Sequence, residues 1–139
     1  MQKNLQFLLN LAKAQSILNR RFDRGLNGLG LSEFMILSIL SASEDGKMRR
    51  VELAEQMGLT QSGITRLLAP MEKIGLIKRK TTEDDARVSF VVLASGGKSK
   101  LEDGLDRAKV LADDLLPSPN LKKLEEFSEL LDGILRRLV

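Results

Sequence analysis

The spacing of apolar residues predicts long helices at both ends of the chain. From Leu5 to Phe22 these residues fall on two adjacent helical stripes, and Gly25 ends the pattern. The stretches Ser95 to Leu116 and about Asn120 to Leu138 repeat the three-to-four-residue spacing, with a Pro-Ser-Pro segment at 117–119 between them. The chain is therefore expected to begin and end with amphipathic helices.

These terminal helices carry more apolar surface than a domain of this length can easily cover. Large exposed apolar patches are uncommon on monomers, and homo-oligomers are the usual way of covering them. We therefore predict dimerisation helices over about residues 4–25 and 95–138. Packing within one chain is the alternative. No internal repeat or low-complexity linker divides the sequence, so a single domain over 1–139 is expected.

A second helix is predicted from Glu33 to Ala42, because its apolar residues are dense and Ser32 is a good N-cap type. Asp45-Gly46 marks the turn that follows. The middle of the chain, over about residues 47–93, comes after this turn.

Two short helices joined by a tight turn are predicted in the middle of the chain. The first runs from Arg50 to Met57 and ends at Gly58, which adopts a left-handed turn at little cost. The second is capped by Thr60 and continues to Ile74. Between them, Ala54 is small enough for close approach and Ile64 is spaced to pack into the angle. This arrangement is typical of a helix-turn-helix.

The outward face of the second helix suits a recognition helix, whose N-terminal half enters the major groove of DNA. It carries short polar side chains and cations but no carboxylate between Gln61 and Met71, so nothing there repels phosphate. The candidate DNA-binding residues of this helix are Thr60, Gln61, Ser62, Thr65, Arg66 and Lys73. An ordinary solvated helix face is the alternative.

Gly63 and Pro70 fit the second helix least well. Gly63 costs about 1 kcal/mol relative to alanine, which suggests a close backbone approach to the neighbouring helix or to DNA. Pro70 removes one hydrogen bond and is expected to kink the helix just after its groove-reading turns.

A β-hairpin follows, with strands over residues 76–82 and 88–93 that are rich in β-branched residues. A hairpin directly after a helix-turn-helix is a wing. Arg87, near its tip, is a candidate for the minor groove, and Asp84 and Asp85 are candidates for orienting Arg87 by a bidentate contact. A metal site there is disfavoured, because adjacent carboxylates on a hairpin point apart.

The distribution of charge supports the same division of the chain. Residues 46–93 carry nine basic and six acidic side chains, whereas the segments on either side are almost balanced, at +1 and −1. A nucleic-acid surface requires such a surplus. The expected phosphate contacts are Arg49, Arg50, Lys78, Arg79 and Lys80.

The composition excludes several mechanisms. The chain of 139 residues has no Cys and no His, so disulfides, thiol switches, zinc sites with these ligands and a Ser-His-Asp triad are absent. No cofactor or metal is expected, and an enzyme is the least favoured class. No apolar run reaches the length of a membrane span and no signal-peptide layout opens the chain, so a cytoplasmic protein is expected.

The sequence resembles the MarR (multiple antibiotic resistance regulator) family of winged-helix transcription factors. The resemblance rests on Val51–Thr60, Gly63–Leu68, Met71–Arg79 and Asp84–Arg87, and the flanking helices extend it over essentially the full chain. One departure is the lack of a Thr in Leu93-Ala94-Ser95-Gly96-Gly97, where Ser95 is expected to cap the next helix instead.

The resemblance implies a mainly α fold with a small β-hairpin wing, a winged helix-turn-helix with flanking dimerisation helices. It implies a homodimer on pseudo-palindromic double-stranded DNA, and a pocket for a small aromatic or phenolic effector between the dimerisation helices and the DNA-binding lobe. The leading hypothesis is a dimeric transcriptional regulator, a repressor released by a small organic ligand. The alternative is a winged-helix module that binds protein instead of DNA.

Overall fold

The structure is a computed structural model, and it describes residues 1–26, 28–81, 88–118 and 120–138. Six helices and three strands make up the described chain. The helices are α1 (Lys3–Gly25), α2 (Leu31–Ala42), α3 (Arg50–Met57), α4 (Gln61–Lys73), α5 (Ser95–Leu115) and α6 (Leu121–Leu138). The strands are β1 (Lys47–Arg49), β2 (Ile77–Thr81) and β3 (Ser89–Leu93). None of the described helices is long and apolar enough to cross a membrane.

The chain forms two compact units, Met1–Ala108 and Lys109–Val139. The first contains α1 to α4, the sheet and the N-terminal part of α5; the second contains the rest of α5 and α6. The single domain expected over residues 1–139 stays a prediction.

The helix-turn-helix prediction is confirmed. The α3 helix ends at Gly58, whose φ of 67° is left-handed, and the Leu59 amide donates to the Ala54 carbonyl at 2.9 Å. Both Ala54 and Ile64 are buried between the helices. Leu59, in the turn between the two helices, is exposed.

The three strands form an antiparallel sheet in the order β1-β3-β2. The predicted hairpin is confirmed as β2 paired with β3, from Ile77 opposite Leu93 to Thr81 opposite Ser89. Sequence reasoning missed β1, whose three residues pair with the other side of β3. Residues 82–87, including the predicted wing residues Asp84, Asp85 and Arg87, lie outside the described residues.

The core of the first unit lies under this sheet, where α2, α3 and α4 meet. Its buried apolar residues come from all three helices and from the strands. They include Ile36, Leu37, Leu40, Leu53, Ile64, Leu68, Met71, Ile77, Val91 and Leu93. The polar face of α4 is thereby held outward by the packing of its apolar face.

Two predicted N-caps are wrong. The α2 helix begins at Leu31, before Ser32, and its first amides are satisfied by longer side chains: Gly30 N–H donates to Glu33 Oε2 at 3.2 Å and Leu31 N–H to Asp23 Oδ1 at 3.1 Å. Ser95 is likewise the first helical residue of α5. The carbonyl that accepts from Lys98 N–H belongs to Ala94, one position earlier.

The start of α5 lies directly against the turn between α4 and β2. Ala94 N–H donates to the Leu76 carbonyl at 3.1 Å. A Cβ placed on Gly97 would overlap the same carbonyl oxygen, and one on Gly96 would lie 2.7 Å from the Gly75 oxygen. Only glycine therefore allows this close approach between backbones.

Candidate nucleic-acid interface

The N-terminal turn of α4 is fixed by its own cap. Thr60 Oγ1 accepts a hydrogen bond from Gly63 N–H at 3.0 Å, as predicted for an N-cap threonine. A Cβ on Gly63 would lie 3.3 Å from that same oxygen. The close contact at Gly63 is therefore with the cap of its own helix, not with the neighbouring helix, and the alternative of a close approach to DNA stays a prediction.

The outward face of α4 is polar and open to solvent. Its exposed residues are Gln61, Ser62, Thr65, Arg66, Ala69, Pro70, Glu72 and Lys73. On the opposite side, Ile64, Leu68 and Met71 are buried. The helix is continuous through Pro70, and the expected kink stays a prediction. The described part of the chain thus presents the predicted face on a rigidly packed helix.

A hydrogen bond joins α3 to this face. Arg50 Nη1 donates to Thr65 Oγ1 at 3.0 Å, between side chains that lie at the surface. The hydrogen bond places the Arg50 guanidinium beside the first turns of α4. It also reduces the conformational freedom of this long side chain. Two residues predicted independently to contact DNA are therefore brought together by the fold.

A groove of about 430 Å³ opens beside the start of α4, and we call it the arginine groove. Its lining residues are Arg49, Arg50, Val51, Gln61, Arg79, Val88 and Ser89. Three guanidinium groups and two neutral hydrogen-bonding side chains face it, and none of these lining residues carries a negative charge. Guanidinium groups bind phosphate oxygens in paired hydrogen bonds, so the groove suits an anionic backbone.

Three successive residues of β2, Lys78, Arg79 and Lys80, are cationic, and their side chains alternate between the two faces of the sheet. Arg79 pairs with Val91, which is buried, and Arg79 Nη2 lies 4.0 Å from Glu72 Oε2 of α4. Because side chains alternate along a strand, Lys78 and Lys80 point to the other face of the sheet. Arg79 thus faces the arginine groove, while its two neighbours face away from the helices.

Sequence reasoning missed two residues near this surface, Lys47 and Phe90. Lys47 Nζ lies 4.9 Å from the centre of the Phe90 ring and Arg49 Cζ lies 6.0 Å from it. The distances fall within the range of cation–π attraction. A basic residue at every second position of Lys47-Met48-Arg49 was the available signal, but three residues are too few for a strand to be recognised.

The described residues contain no cluster of three or more His, Cys, Asp or Glu side chains arranged to hold a metal ion. A second cleft of about 430 Å³ is lined by the end of α1, the start of α2 and one residue of α4. Its lining residues are Asn19, Asp23, Gly28, Gly30, Leu31, Ser32, Glu33 and Leu67. Two carboxylates, those of Asp23 and Glu33, make its lining polar and acidic.

Comparison with known proteins places this geometry among transcriptional regulators. A model of the MarR family matches residues 29–89. The transcriptional repressor YetL of Bacillus subtilis is 31% identical over 101 residues, a match that covers 71% of this chain and 60% of YetL. The chain therefore spans less than two thirds of that relative.

Two solved structures share the fold. One is the MarR-family regulator Sco3205 of Streptomyces coelicolor in complex with DNA, with a TM-score of 0.82, 20% identity and coverage of 96% of this chain and 87% of that one. The other is the organohalide-sensing regulator RdhR bound to 2,4-dichlorophenol, with a TM-score of 0.85, 18% identity and coverage of 99% and 82%. These relatives are transcriptional regulators, not enzymes. The MarR-family model thus matches the part of the chain that contains α2, the helix-turn-helix and β2, and the chain shares its fold with regulators of that family.

Proposed function

We propose that the protein is a dimeric, sequence-specific DNA-binding transcriptional regulator that acts as a repressor and is released by a small organic ligand. The observation that carries the proposal is the arginine groove, which lies beside the exposed part of α4 from Gln61 to Pro70, where no residue is a carboxylate. Phosphate contacts supply most of the affinity of such proteins for DNA, and base contacts supply the specificity.

In this proposal α4 enters the major groove and reads base edges. Arg66 is the residue suited to guanine, and Gln61 is suited to adenine. Arg49, Arg50 and Arg79 hold the phosphates on the groove's rim. Further contacts come from Thr60, Ser62, Thr65, Lys73, Lys78 and Lys80, and from the wing, where Arg87, oriented by Asp84 or Asp85, enters the minor groove.

The exposed apolar side chains of α1, and separately those of α6, support dimerisation. In α1 the side chains of Leu5, Leu8 and Leu9 are close to half exposed, and no residue of that helix is fully buried. The α6 helix is similar, with Leu121, Leu130 and Leu135 more than half exposed. A second copy of the chain would cover these faces. It would also place two recognition helices about 10 bp apart on a pseudo-palindromic site.

The effector proposed is a small phenol. RdhR, which shares the fold, was solved with 2,4-dichlorophenol. The cleft lined by Asp23 and Glu33 suits a neutral phenol better than an aromatic acid, because both carboxylates would repel a bound anion. Their backbone partners at Gly30 and Leu31 already hold these side chains in place.

The first experiment is selection of bound duplexes from a random pool, followed by titration of the selected duplex at fixed salt. Arg66→Ala is expected to weaken binding by about 1–3 kcal/mol, or about 5- to 150-fold, because it removes a base contact. The matched control is Arg107→Ala, which removes an exposed guanidinium from α5 and should leave the affinity unchanged.

Two results would contradict the proposal. Absence of any duplex retention at low salt would favour the protein-interaction module instead. Equal affinities for Arg66→Ala and the unaltered protein would reject Arg66 as a base contact. Repeating the selection with chlorinated phenols tests the effector, since release is expected for a phenol and not for the matching benzoate.

A further inference from the structure

A cleft of about 410 Å³ lies where the end of α2, the turn before β1, the end of β3 and the start of α5 meet. We call it the α5 cleft. It shares no lining residue with the arginine groove or with the cleft that contains Asp23 and Glu33. All of its lining residues belong to the first unit, and its volume lies within the range of about 300–1,000 Å³ that is usual for small-molecule sites. The α5 cleft is therefore a separate candidate for a ligand.

Leucine side chains form the apolar part of the α5 cleft. Leu93, the last residue of β3, is 7% exposed, and Leu101 of α5 is 6% exposed, so both reach the cleft from the core. Leu105, about one turn further along α5, is 40% exposed. A ligand that covered this wall would remove apolar surface from water, which favours binding.

Charges of both signs border the same wall. Lys98 and Glu102 lie on successive turns of α5, and Asp45 belongs to the turn before β1. All three side chains are exposed, and none of them forms an ion pair with a described residue. Lys98 and Glu102 are four residues apart, a spacing that permits a pair on a helix, yet they do not pair. A ligand could therefore bind all three charges without breaking an existing ion pair.

The backbone holds Asp45 in an uncommon conformation. Its φ is 58°, and among the residues that the structure describes it is the only one besides glycines with a positive φ. Such conformations are sparsely populated outside glycine, and they cluster at ligand-binding sites. Gly46 follows with a φ of 63°, so two successive residues of this turn are left-handed. The turn thus places the Asp45 carboxylate at the cleft through backbone geometry that few residue types adopt.

We propose that the α5 cleft binds a small zwitterion with an apolar body, of the kind represented by an amino acid with a large apolar side chain. A purely cationic ligand would be repelled by Lys98, and a purely anionic ligand would be repelled by Asp45 and Glu102. A zwitterion meets both signs, with its carboxylate near Lys98 and its ammonium near the two carboxylates. Its apolar side chain then covers the leucine wall. This binding does not depend on the proposed contact with DNA.

Calorimetric titration with phenylalanine tests the site, with phenethylamine and hydrocinnamate as matched probes. Phenethylamine lacks the carboxylate and hydrocinnamate lacks the ammonium, whereas both keep the ring. Phenylalanine is expected to bind at least about tenfold more tightly than either, because each analogue loses one charge-assisted hydrogen bond. In methyl NMR spectra, phenylalanine should shift the signals of Leu101 and Leu105 and leave those of Leu31 and Leu67, which line the other cleft, almost unchanged.

Two variants assign the charges separately. Lys98→Gln should weaken phenylalanine about tenfold and should not weaken phenethylamine, which has no carboxylate to bind. Asp45→Asn combined with Glu102→Gln should weaken phenylalanine and phenethylamine about tenfold and should not weaken hydrocinnamate. Asparagine tolerates the left-handed conformation, so the turn at residue 45 is kept. A loss of structure would lower the affinity for all three probes together, so this crossed pattern identifies the charges themselves.

The controls make the same charge changes on exposed residues of α5 that do not line the cleft. They are Lys109→Gln, and Asp103→Asn combined with Asp106→Asn. Both should leave the affinities for the three probes unchanged, and circular dichroism checks that every variant is folded.

Failure of phenylalanine to bind, or equal binding of the three probes, would overturn the proposal. Phenylalanine binding that survives both cleft variants would place the ligand elsewhere and would also reject it. Tighter binding of phenethylamine than of phenylalanine would show a site for simple amines and contradict the zwitterion. None of these titrations contains DNA, so a failure of the proposed function would leave their results unchanged.

Discussion

Two helices of similar amphipathic pattern, α4 and α6, differ in what their apolar faces touch. In α4 the apolar residues Ile64, Leu68 and Met71 are all buried against the rest of the first unit. In α6 no residue is fully buried, and Leu135 is 57% exposed. The comparison teaches that helical periodicity identifies a face that must be covered, but not what covers it.

The difference follows from where each helix finds its partners. The α4 helix follows α3 after a three-residue turn and packs on it and on α2, so its apolar face is satisfied within the chain. In α6, by contrast, no residue reaches that degree of burial. Substitutions in the core beneath α4 are therefore expected to lower the free energy of unfolding most. Substitutions in α6 are expected to have the largest effect on dimer formation.

The largest expected effect on stability is that of Leu68→Ala. The side chain is only 2% exposed, so its truncation leaves a cavity and should lower the free energy of unfolding by about 2–5 kcal/mol. Urea unfolding at fixed protein concentration measures the change. Ala69→Ser, on the exposed face of the same helix, is the control and should stay within about 0.5 kcal/mol. A loss below about 1 kcal/mol for Leu68→Ala would contradict the burial of this face.

Leu124→Glu combined with Leu135→Glu tests whether a second copy covers α6. Burial of each leucine stabilises the dimer by about 1.5–3 kcal/mol. The double substitution should therefore raise the dissociation constant of the dimer at least about a hundredfold. Sedimentation equilibrium should then report the mass of one chain. Lys122→Gln with Arg136→Gln changes the charge equally on the opposite side of the helix and should leave the dimer intact. A monomeric unaltered protein would rule out the proposed dimer.

A glycine-to-alanine substitution should change the free energy of unfolding in opposite directions in α5 and α6. Gly97→Ala is expected to destabilise by about 1–3 kcal/mol, because its Cβ overlaps the Leu76 carbonyl. Gly133→Ala meets no atom within 4 Å, and alanine favours helix, so it should stabilise by up to about 1 kcal/mol. Thermal unfolding of both variants decides the point. Similar effects of the two changes would contradict the close approach at Gly97.

The smallest effect is expected at the surface link between α3 and α4. A double-mutant cycle with Arg50→Ala and Thr65→Val should give a coupling energy of about 0.5–1.5 kcal/mol in unfolding, since one exposed hydrogen bond is removed. The same cycle applied to affinity for the selected duplex should show a second coupling, because both residues are proposed to contact DNA. Strictly additive effects in both measurements would mean that the hydrogen bond is not maintained in solution.

Most of the helix-turn-helix was predictable because its signals are local. The Thr60 cap, the left-handed Gly58 and the burial of Ala54 and Ile64 all depend on residues within about ten positions of one another. A cap or a turn is decided by a few backbone hydrogen bonds, and the residue types that make them are distinctive. The wrong caps at Ser32 and Ser95 mark the limit, because Asp23 reaches the start of α2 from eight residues away.

Sequence by itself indicated the resemblance to the MarR family, the mainly helical fold with a paired hairpin, and the polar composition of the outward face of α4. Tertiary structure alone decided that β1 joins the sheet, that Lys78 and Lys80 separate from Arg79, and that Phe90 lies beneath two cations. The physical reason is that pairing between strands distant in sequence fixes which face each side chain takes. A shift of one residue would reverse every one of those faces.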